Sequence, residues 1–400
     1  MRIVPGLAAL LLAAGCSPAP APPAEPQSAA TARESATVVE QHAMPKSLLV
    51  VKRTAIARAK YPVIDFHFHG RTLKTADDYE TLIRTMDQAG LGAIANMDGG
   101  MYDDLDRNLR IGEPFKNRLV HFARPVWEGI NEPGWAEKTA AELDRAFKAG
   151  AQGLKINKAL GLELKNPDGS YVLPDDPRMD PVWAMCAKHG KPVMIHVSDP
   201  IARWDPIGPD NERYEAGLWR TDRSGNYHNT GQPHYTEIWT HQENMLRKHP
   251  GTRFVLAHVA NMSEDLERAG TLLDRYPNAD VELSARYHDL GRQPSAARKW
   301  LIKYQDRIIF GSDGSPGREI EQFWTPHWRF AETDDEYFDH PAQMLSPLGA
   351  PLQGRWRIYG VSLPEDVLRK LYHANALKYL PTLRASIQTQ STQWNRPVGP

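Results

Sequence analysis

Eight short runs of apolar, mostly β-branched residues recur from about Tyr61 onward, and this repeat constrains the fold more than any other feature. The predicted strands are 63–69, 91–97, 119–126, 153–157, 192–197, 253–258, 279–284 and 307–311. Amphipathic helical segments separate most of them, at 76–89, 134–149, 180–189, 236–249, 264–276 and 295–304. A final helix is predicted over 364–380, and the link 102–118 looks less regular. Such alternation indicates parallel strands joined by crossover helices.

The alternation predicts an α/β fold, a (β/α)8 TIM barrel with long loop insertions after strands 5 and 8. The alternative is a doubly wound open sheet, which usually has fewer strands and a glycine-rich phosphate loop after its first strand. Here the first strand ends in His67-Phe68-His69, and no G-x-G-x-x-G motif is present. We therefore favour the barrel.

The N-terminal residues 1–15 have the single positive charge and short apolar run of a signal peptide. The run ends in Leu12-Ala13-Ala14-Gly15-Cys16, which resembles a bacterial lipobox except that alanine replaces the usual leucine at Ala13. The resemblance implies an exported lipoprotein, lipidated at Cys16 and held at the periplasmic side of the outer membrane or at the cell surface. Ordinary signal-peptidase cleavage nearby is the alternative.

The rest of the chain divides by composition. Residues 16–45 are rich in proline, alanine and serine and indicate a disordered linker. The barrel domain is expected over 46–382, and residues 383–400 look like a loose tail. With 48 basic and 49 acidic residues, the chain offers no basic stripe for nucleic acid. The same balance predicts no steering of a strongly charged ligand. Cys186, in an apolar pattern, is predicted to be a buried, inert thiol.

Metal-ligand residue types stand at several predicted strand ends. His67 and His69, two residues apart on the first strand, project to the same face. The fifth and sixth strands end at His196 and His258, and the eighth ends at Asp313. Because barrel strand ends converge on one mouth, these side chains are expected to meet there. Imidazole and carboxylate ligands suit zinc or another divalent ion.

This constellation resembles the amidohydrolase superfamily over roughly residues 63–380. Within it, the sequence is similar to the amidohydrolase-related branch, which includes aminocarboxymuconate-semialdehyde decarboxylase, resorcylate-type decarboxylases and some lactone hydrolases. The resemblance implies that His67, His69, His196 and Asp313 are metal ligands. It implies that His258 is a nearby acid/base or substrate-polarising residue, and that Asp313 also moves a proton.

The metal count depends on Lys155, near the end of the fourth predicted strand. In two-metal members of the superfamily a lysine on this strand is carboxylated and bridges the metals. The other interpretation, which we favour, is an interior lysine paired with Asp65 or Asp98. The expected cofactor is then one divalent ion, zinc before manganese, or two ions if Lys155 is carboxylated.

Two long loops are predicted at the mouth, over 198–235 and 315–360. They carry many aromatic residues, namely Trp204, Tyr214, Trp219, Tyr227, Tyr235, Phe323, Trp324, Trp328, Tyr337 and Trp356. These residues either form an aromatic wall for a flat substrate, with Trp204 a candidate contact, or pack the loops against each other. Arg286 either binds a substrate carboxylate or holds Asp289 or Asp313. The histidines of this region, His228, His234 and His241, are expected on the surface or in a lid.

The expected function is metal-dependent hydrolysis of a C–O or C–N bond in a small, cyclic or aromatic carbonyl compound, by an activated water. One alternative is non-oxidative decarboxylation on the same scaffold. A second is an inactive, ligand-binding surface lipoprotein. The expected partners are a small-molecule substrate, a lipid anchor and a second copy in a homodimer, with no nucleic acid.

Overall fold

The computed structural model describes residues 47–214, 225–345, 349 and 351–394. The predicted signal peptide, Cys16, the predicted linker and Trp219 lie outside these residues. None of the helices within the described residues has the length and apolar character needed to cross a bilayer.

Eight parallel strands form one sheet in the order of the sequence, which confirms the predicted (β/α)8 barrel. They are β1 (Val63–Phe68), β2 (Leu91–Asn96), β3 (Leu119–Ala123), β4 (Gly153–Ile156), β5 (Val193–Ile195), β6 (Phe254–Leu256), β7 (Ala279–Glu282) and β8 (Ile308–Ile309). The sheet closes on itself where Phe66 N–H donates to Phe310 O at 3.0 Å and Phe68 bridges Gly314.

Helices cover the outside of the barrel, and each of the six predicted between strands is present. They are α1 (Ala76–Ala89), α2 (Tyr102–Gly112), α3 (Trp135–Ala149), α4 (Asp180–Lys188), α5 (Tyr235–Lys248), α6 (Leu266–Arg275), α7 (Tyr287–Gly291), α8 (Pro294–Lys303), α9 (Ile320–Phe323), α10 (Thr325–Glu332), α11 (Glu365–Arg369) and α12 (Arg384–Gln393). The link predicted to be irregular contains α2. The final predicted helix is shorter than expected, since after α11 it continues as a π turn over Lys370–Ala374 and a 3-10 turn over Ala376–Lys378.

Local chemistry explains the bounds of α1. Thr75 caps its first turn, because the hydroxyl accepts from Asp78 N–H and the Asp78 carboxylate accepts from Thr75 N–H. Its buried side, which includes Leu82 and Met86, packs on the barrel. Gly90 ends the helix with φ 88°, a left-handed conformation that costs glycine little.

The lower half of the barrel interior is apolar and closed. Phe66 packs edge-on against Phe122 and Tyr379, at ring-centroid distances of 5.5 and 5.9 Å. Tyr379, Leu383 and Ile387 are buried in this same cluster and form its floor. Burying a side chain such as Phe66 stabilises the fold by about 1.5–3 kcal/mol.

Residues 384–393 of the predicted loose tail form α12, so this part of the prediction is wrong, and residues 395–400 lie outside the described residues. The helix is mostly polar and lacks the apolar periodicity that announces a helix in a sequence. Tertiary contacts hold it instead: Gln390 Nε2 donates to Gly92 O at 3.0 Å, and Ile387 packs on Gly92. A Cβ at Gly92 would lie 2.7 Å from Ile387 Cδ1, so this close approach requires glycine. Beyond the helix, Trp394 Nε1 donates to Ala59 O at 3.1 Å.

Candidate metal centre at the mouth of the barrel

Two histidines and a carboxylate converge at the carboxyl ends of β1 and β8. The Nε2 atoms of His67 and His69 lie 3.5 and 3.2 Å from Asp313 Oδ1. Ligand atoms of all three side chains fall within 4.8 Å of one another. The structure therefore brings together three of the four residues predicted to be metal ligands.

The backbone around Asp313 is held in a strained conformation. Asp313 has φ 59°, in the left-handed region, which costs a non-glycine residue about 1–3 kcal/mol. Its N–H donates to His67 O at 2.8 Å, which ties the end of β8 to the end of β1. The buried Asp65 carboxylate accepts from the N–H groups of His67 and Ser312 and so joins the same two strand ends. Burial raises the pKa of Asp65 to about 7.

Each histidine of the pair is oriented by a carboxylate on its other ring nitrogen. His67 Nδ1 lies 3.0 Å from Glu282 Oε1, and His69 Nδ1 lies 2.7 Å from Asp98 Oδ2. A carboxylate accepts, so Nδ1 of each neutral ring carries the proton, and the Nε2 lone pair would be offered to a bound ion. Both imidazoles are thereby poised as metal ligands.

This arrangement shifts the pKa values of four ionisable groups, Asp313, His67, His69 and Asp98. Burial alone would raise the pKa of Asp313, but His67 and His69 outweigh burial and hold that pKa well below its usual range. Burial lowers the pKa of His67. For His69 the hydrogen bonds with Asp313 and Asp98 outweigh burial, and its pKa is raised. Asp98 has its pKa lowered to about 2, because the pull of His69 and Arg124 exceeds the cost of burial.

His258 begins a left-handed turn directly after β6. Four successive non-glycine residues, from His258 to Asn261, have φ between 55° and 58°. Each costs about 1–2 kcal/mol relative to right-handed backbone. The turn places the buried His258 ring 5.2 Å from that of His67, and His258 Nδ1 donates to Ser284 O at 2.8 Å. Burial lowers the pKa of His258 to about 3, so the ring is neutral near pH 7.

His196 follows β5 and contacts this group from the other side. Its ring packs edge-on against His258 at 4.3 Å, and its Nε2 lies 2.6 Å from Ser198 O. It is not part of the group formed by His67, His69 and Asp313 in this structure. Its role as a metal ligand stays a prediction.

Lys155, on β4, lies inside the site. Its Nζ is 3.0 Å from His67 Nε2, so its hydrogen-bond partner is His67 rather than the Asp65 or Asp98 we had expected. Burial lowers its pKa to about 8. Lys155 thus contacts a predicted metal ligand directly, and its role as a bridging ligand stays a prediction.

The donor set fits a divalent cation. Two imidazole nitrogens and a carboxylate oxygen are the ligand types that catalytic zinc takes, with a further position left for water or substrate. The two orienting carboxylates complete the arrangement, since histidine ligands usually donate their second N–H to such a group. His67, His69 and Asp313 would therefore hold the ion.

A cavity of about 1000 Å³ opens above these residues. Six cationic side chains line it: Arg71, Arg124, Lys155, Lys158, Arg203 and Arg286. Three carboxylates do so: Glu163, Asp199 and Asp313. No phenylalanine, tyrosine or tryptophan among the described residues lines it. The cavity is locally cationic although the whole chain has a net charge of −1, so the inference from overall charge does not hold at the site.

The aromatic residues of the two loops pack the loops instead. Trp204 is buried against Tyr227 and Tyr235, with ring centroids 4.7 and 5.6 Å away, and its Nε1 donates to Pro233 O. Trp324 and Trp328 are fully buried in the core. The aromatic wall, with Trp204 as a substrate contact, was thus a wrong interpretation for these residues, because local composition does not reveal which partner a ring packs against.

Arg286 lines the cavity, as expected of a substrate-binding residue, and it also lies beside Asp289. Its Nη1 donates to Ala285 O at 2.6 Å, and its Nε lies 3.7 Å from Asp289 Oδ2. Its Nε is buried and has no hydrogen-bond partner among the described residues. A substrate anion in the cavity would find this guanidinium held in place.

Several site residues were missed in the sequence. Glu282 and Ser284 close the predicted seventh strand, and their alternation with Leu283 could have placed them on the inner face. Arg124, Lys158 and Arg203 gave no such signal, because each follows a strand in a loop whose path the sequence does not specify.

The family profile named amidohydrolase matches residues 64–382. The chain belongs to the amidohydrolase family. No curated protein matches the sequence.

Solved structures similar to this chain cover about four fifths of it at low sequence identity. The 2,6-dihydroxybenzoate decarboxylase from Rhizobium is 16% identical, covers 80% of this chain and 99% of its own, and has a TM-score of 0.45. The 4-oxalomesaconate hydratase from Rhodopseudomonas palustris is 13% identical, with 83% and 100% covered and a TM-score of 0.46. A zinc-bound amidohydrolase from Burkholderia multivorans is 13% identical, with 80% and 99% covered and a TM-score of 0.43. These likenesses concern the fold alone.

Proposed function

We propose that this protein is a metal-dependent hydrolase that cleaves a C–O or C–N bond in a small carbonyl compound bearing a carboxylate. The observation that carries the proposal is the convergence of His67, His69 and Asp313, with each imidazole oriented by its own carboxylate. Zinc is the proposed ion, because nitrogen and oxygen donors of this kind suit it.

The residues around the ion have separate tasks. A divalent ion bound here supplies a water activated for attack near neutral pH. Asp313 is ionised at that pH and lines the cavity, so it can accept the proton of the attacking water and return it to the leaving group. His258 uses its Nδ1–H on Ser284 O, so the neutral ring presents Nε2 as an acceptor. His258 therefore suits proton transfer better than polarising a carbonyl.

The cationic cavity supports a substrate with a carboxylate rather than a purely aromatic one. Arg286 and Arg203 line the cavity, and Nη1 of each donates to a backbone carbonyl, Ala285 O and Gly225 O, at 2.6 Å. A guanidinium binds a carboxylate with two parallel hydrogen bonds, which fixes its orientation.

Decarboxylation is the second candidate, and the same cationic cavity favours it. A carboxylate substrate would be held by the arginines, and His258 or Asp313 would take a proton from water and pass it to carbon as CO₂ leaves. Product analysis on lactones, amides and aromatic acids, with CO₂ detection, separates the two reactions.

The first test is metal content per chain, measured on protein that begins near Thr37 and is purified without chelator. We expect about one zinc ion in the wild type, loss of that ion in His67→Ala, and no loss in His189→Ala, whose ring binds Asp144 far from the mouth. Two ions that fall to one in Lys155→Met would instead show Lys155 to be a carboxylated bridge. No ion in the wild type, even after metal is added back, would refute the proposal.

We also propose that the protein is exported and anchored through lipidated Cys16. The support is the sequence of residues 12–16 and the proline-rich segment that follows it. Metabolic labelling with a fatty acid should mark the wild type and leave Cys16→Ala unlabelled, and label on neither would contradict the anchor.

A further inference from the structure

Glu282, the last residue of β7, is a fully buried carboxylate at the centre of the site. Its Oε1 accepts from His67 Nδ1 at 3.0 Å, from His258 N–H at 2.8 Å and from Ser284 Oγ at 2.7 Å. Its Oε2 accepts from Ser284 N–H at 2.6 Å. One carboxylate therefore joins the ends of β1, β6 and β7.

No lysine or arginine forms an ion pair with Glu282 among the described residues; the pairs it makes are with His67 and His258. A buried carboxylate is costly unless every lone pair is used. Burial would raise its pKa, but His67 and the hydrogen bonds outweigh burial and lower it to about 2. Glu282 is thus an anion, and the four hydrogen bonds that it accepts all come from residues of the site.

Gly311, two residues after the end of β8, leaves room for this carboxylate. A Cβ at Gly311 would come too close to Glu282 Oε2 and would lie 2.9 Å from His67 Cβ. Only glycine leaves the space in which Glu282 and His67 meet. This observation is independent of the hydrogen bonds.

We propose that Glu282 is a positioning residue that fixes the Nδ1–H tautomer of His67 and anchors the strained turn at His258, and thereby sets the metal affinity of the centre. The proposal rests on the metal site of the proposed function. Through Nδ1 the carboxylate directs the His67 Nε2 lone pair to the ion. Through the His258 amide it fixes the first residue of four in left-handed backbone.

The test compares metal affinity in the wild type, Glu282→Gln and Glu332→Gln, by competition of Zn²⁺ with a chromophoric chelator. Glutamine keeps the volume but removes the charge, and its amide NH₂ cannot accept the Ser284 N–H. We expect Glu282→Gln to bind Zn²⁺ about 10–100-fold more weakly. Glu332, a carboxylate that binds Tyr372 away from the mouth, is the matched control and should leave the affinity unchanged.

A second measurement needs no variant of Glu282. In metal-free wild type, ¹⁵N NMR of histidine side chains should show His67 protonated at Nδ1, with its signal assigned by its absence in His67→Gln. A third measurement returns to the variants: visible spectra of the Co²⁺-loaded proteins should differ between Glu282→Gln and the wild type, and match between Glu332→Gln and the wild type.

The outcomes distinguish the two proposals. Wild-type Zn²⁺ affinity in Glu282→Gln, or His67 protonated at Nε2, would overturn the role of Glu282 and leave the metal-dependent function standing. Failure of the wild type to bind Zn²⁺ at all would overturn both. If Glu282→Gln does not fold, the NMR result on the wild type decides.

Discussion

The two sides of the metal centre use the same pairing of carboxylate and histidine in opposite surroundings. On the β7–β1 side, Glu282 holds His67 in full burial, with no lysine or arginine paired to it among the described residues. On the β1–β2 side, Asp98 holds His69 and also bonds Arg124 and Arg71. Asp98 thus bonds two arginines that line the cavity, whereas the hydrogen bonds of Glu282 are all made with residues of the metal centre. If the proposed ion binds here, we expect the Glu282 side to affect its affinity more than the Asp98 side.

Loss of the group common to both sides should have the largest effect. Asp313 faces both histidines, so Asp313→Asn removes a ligand and the proton acceptor together. We expect turnover of the substrate identified by screening to fall by about 10²–10⁴-fold. Steady-state kinetics on protein of measured metal content checks this. Full turnover with metal bound would end the proton role of Asp313.

Disrupting the Asp98–His69 pair should lower the metal affinity less than disrupting the Glu282–His67 pair. In Asp98→Asn the amide oxygen can still accept from His69 Nδ1, while Arg124 and Arg71 are released into the cavity. We expect Zn²⁺ affinity to fall by less than about tenfold, below the loss in Glu282→Gln. The same chelator competition measures both variants. Equal losses would show that burial makes no difference between the two pairs.

The smallest expected effect is a difference in pKa among the histidines of the metal-free protein, seen as the order in which they titrate. The folded-state pKa of His69 is raised, so its contribution to stability is present below its unfolded pKa and is lost as pH rises through the folded pKa. His67 and His258 have lowered pKa values in the folded state. As pH falls below the unfolded value near 6.5, the unfolded state therefore takes up protons first and the stability of the fold decreases. An NMR titration should show His69 protonating first, and the reverse order would contradict the asymmetry.

Much of the fold could be predicted because periodicity carries it. Strands with apolar side chains on both faces, separated by amphipathic helices, specify a parallel barrel, and barrel geometry then gathers strand-end residues such as His67 and Asp313. The orientation of each ring could not be predicted. Glu282 contacts His67 across 215 residues of sequence, and the turn that places His258 depends on backbone conformations that its residue types do not favour.

The failed predictions have a common physical cause. Trp204 and α12 were interpreted from local composition, but in each case contacts that the composition does not specify decide the outcome. Trp204 finds its partners within its own loop, and α12 is held by Gly92 and Ala59, some 300 residues earlier.

The closed floor formed by Tyr379, Leu383 and Ile387 has a kinetic consequence. Since these side chains pack the barrel interior and the cavity opens at the cationic rim, we expect substrate and product to pass by the same rim. A product that keeps its carboxylate would then compete with the next substrate for the same arginines, and the enzyme would slow as its own product accumulates.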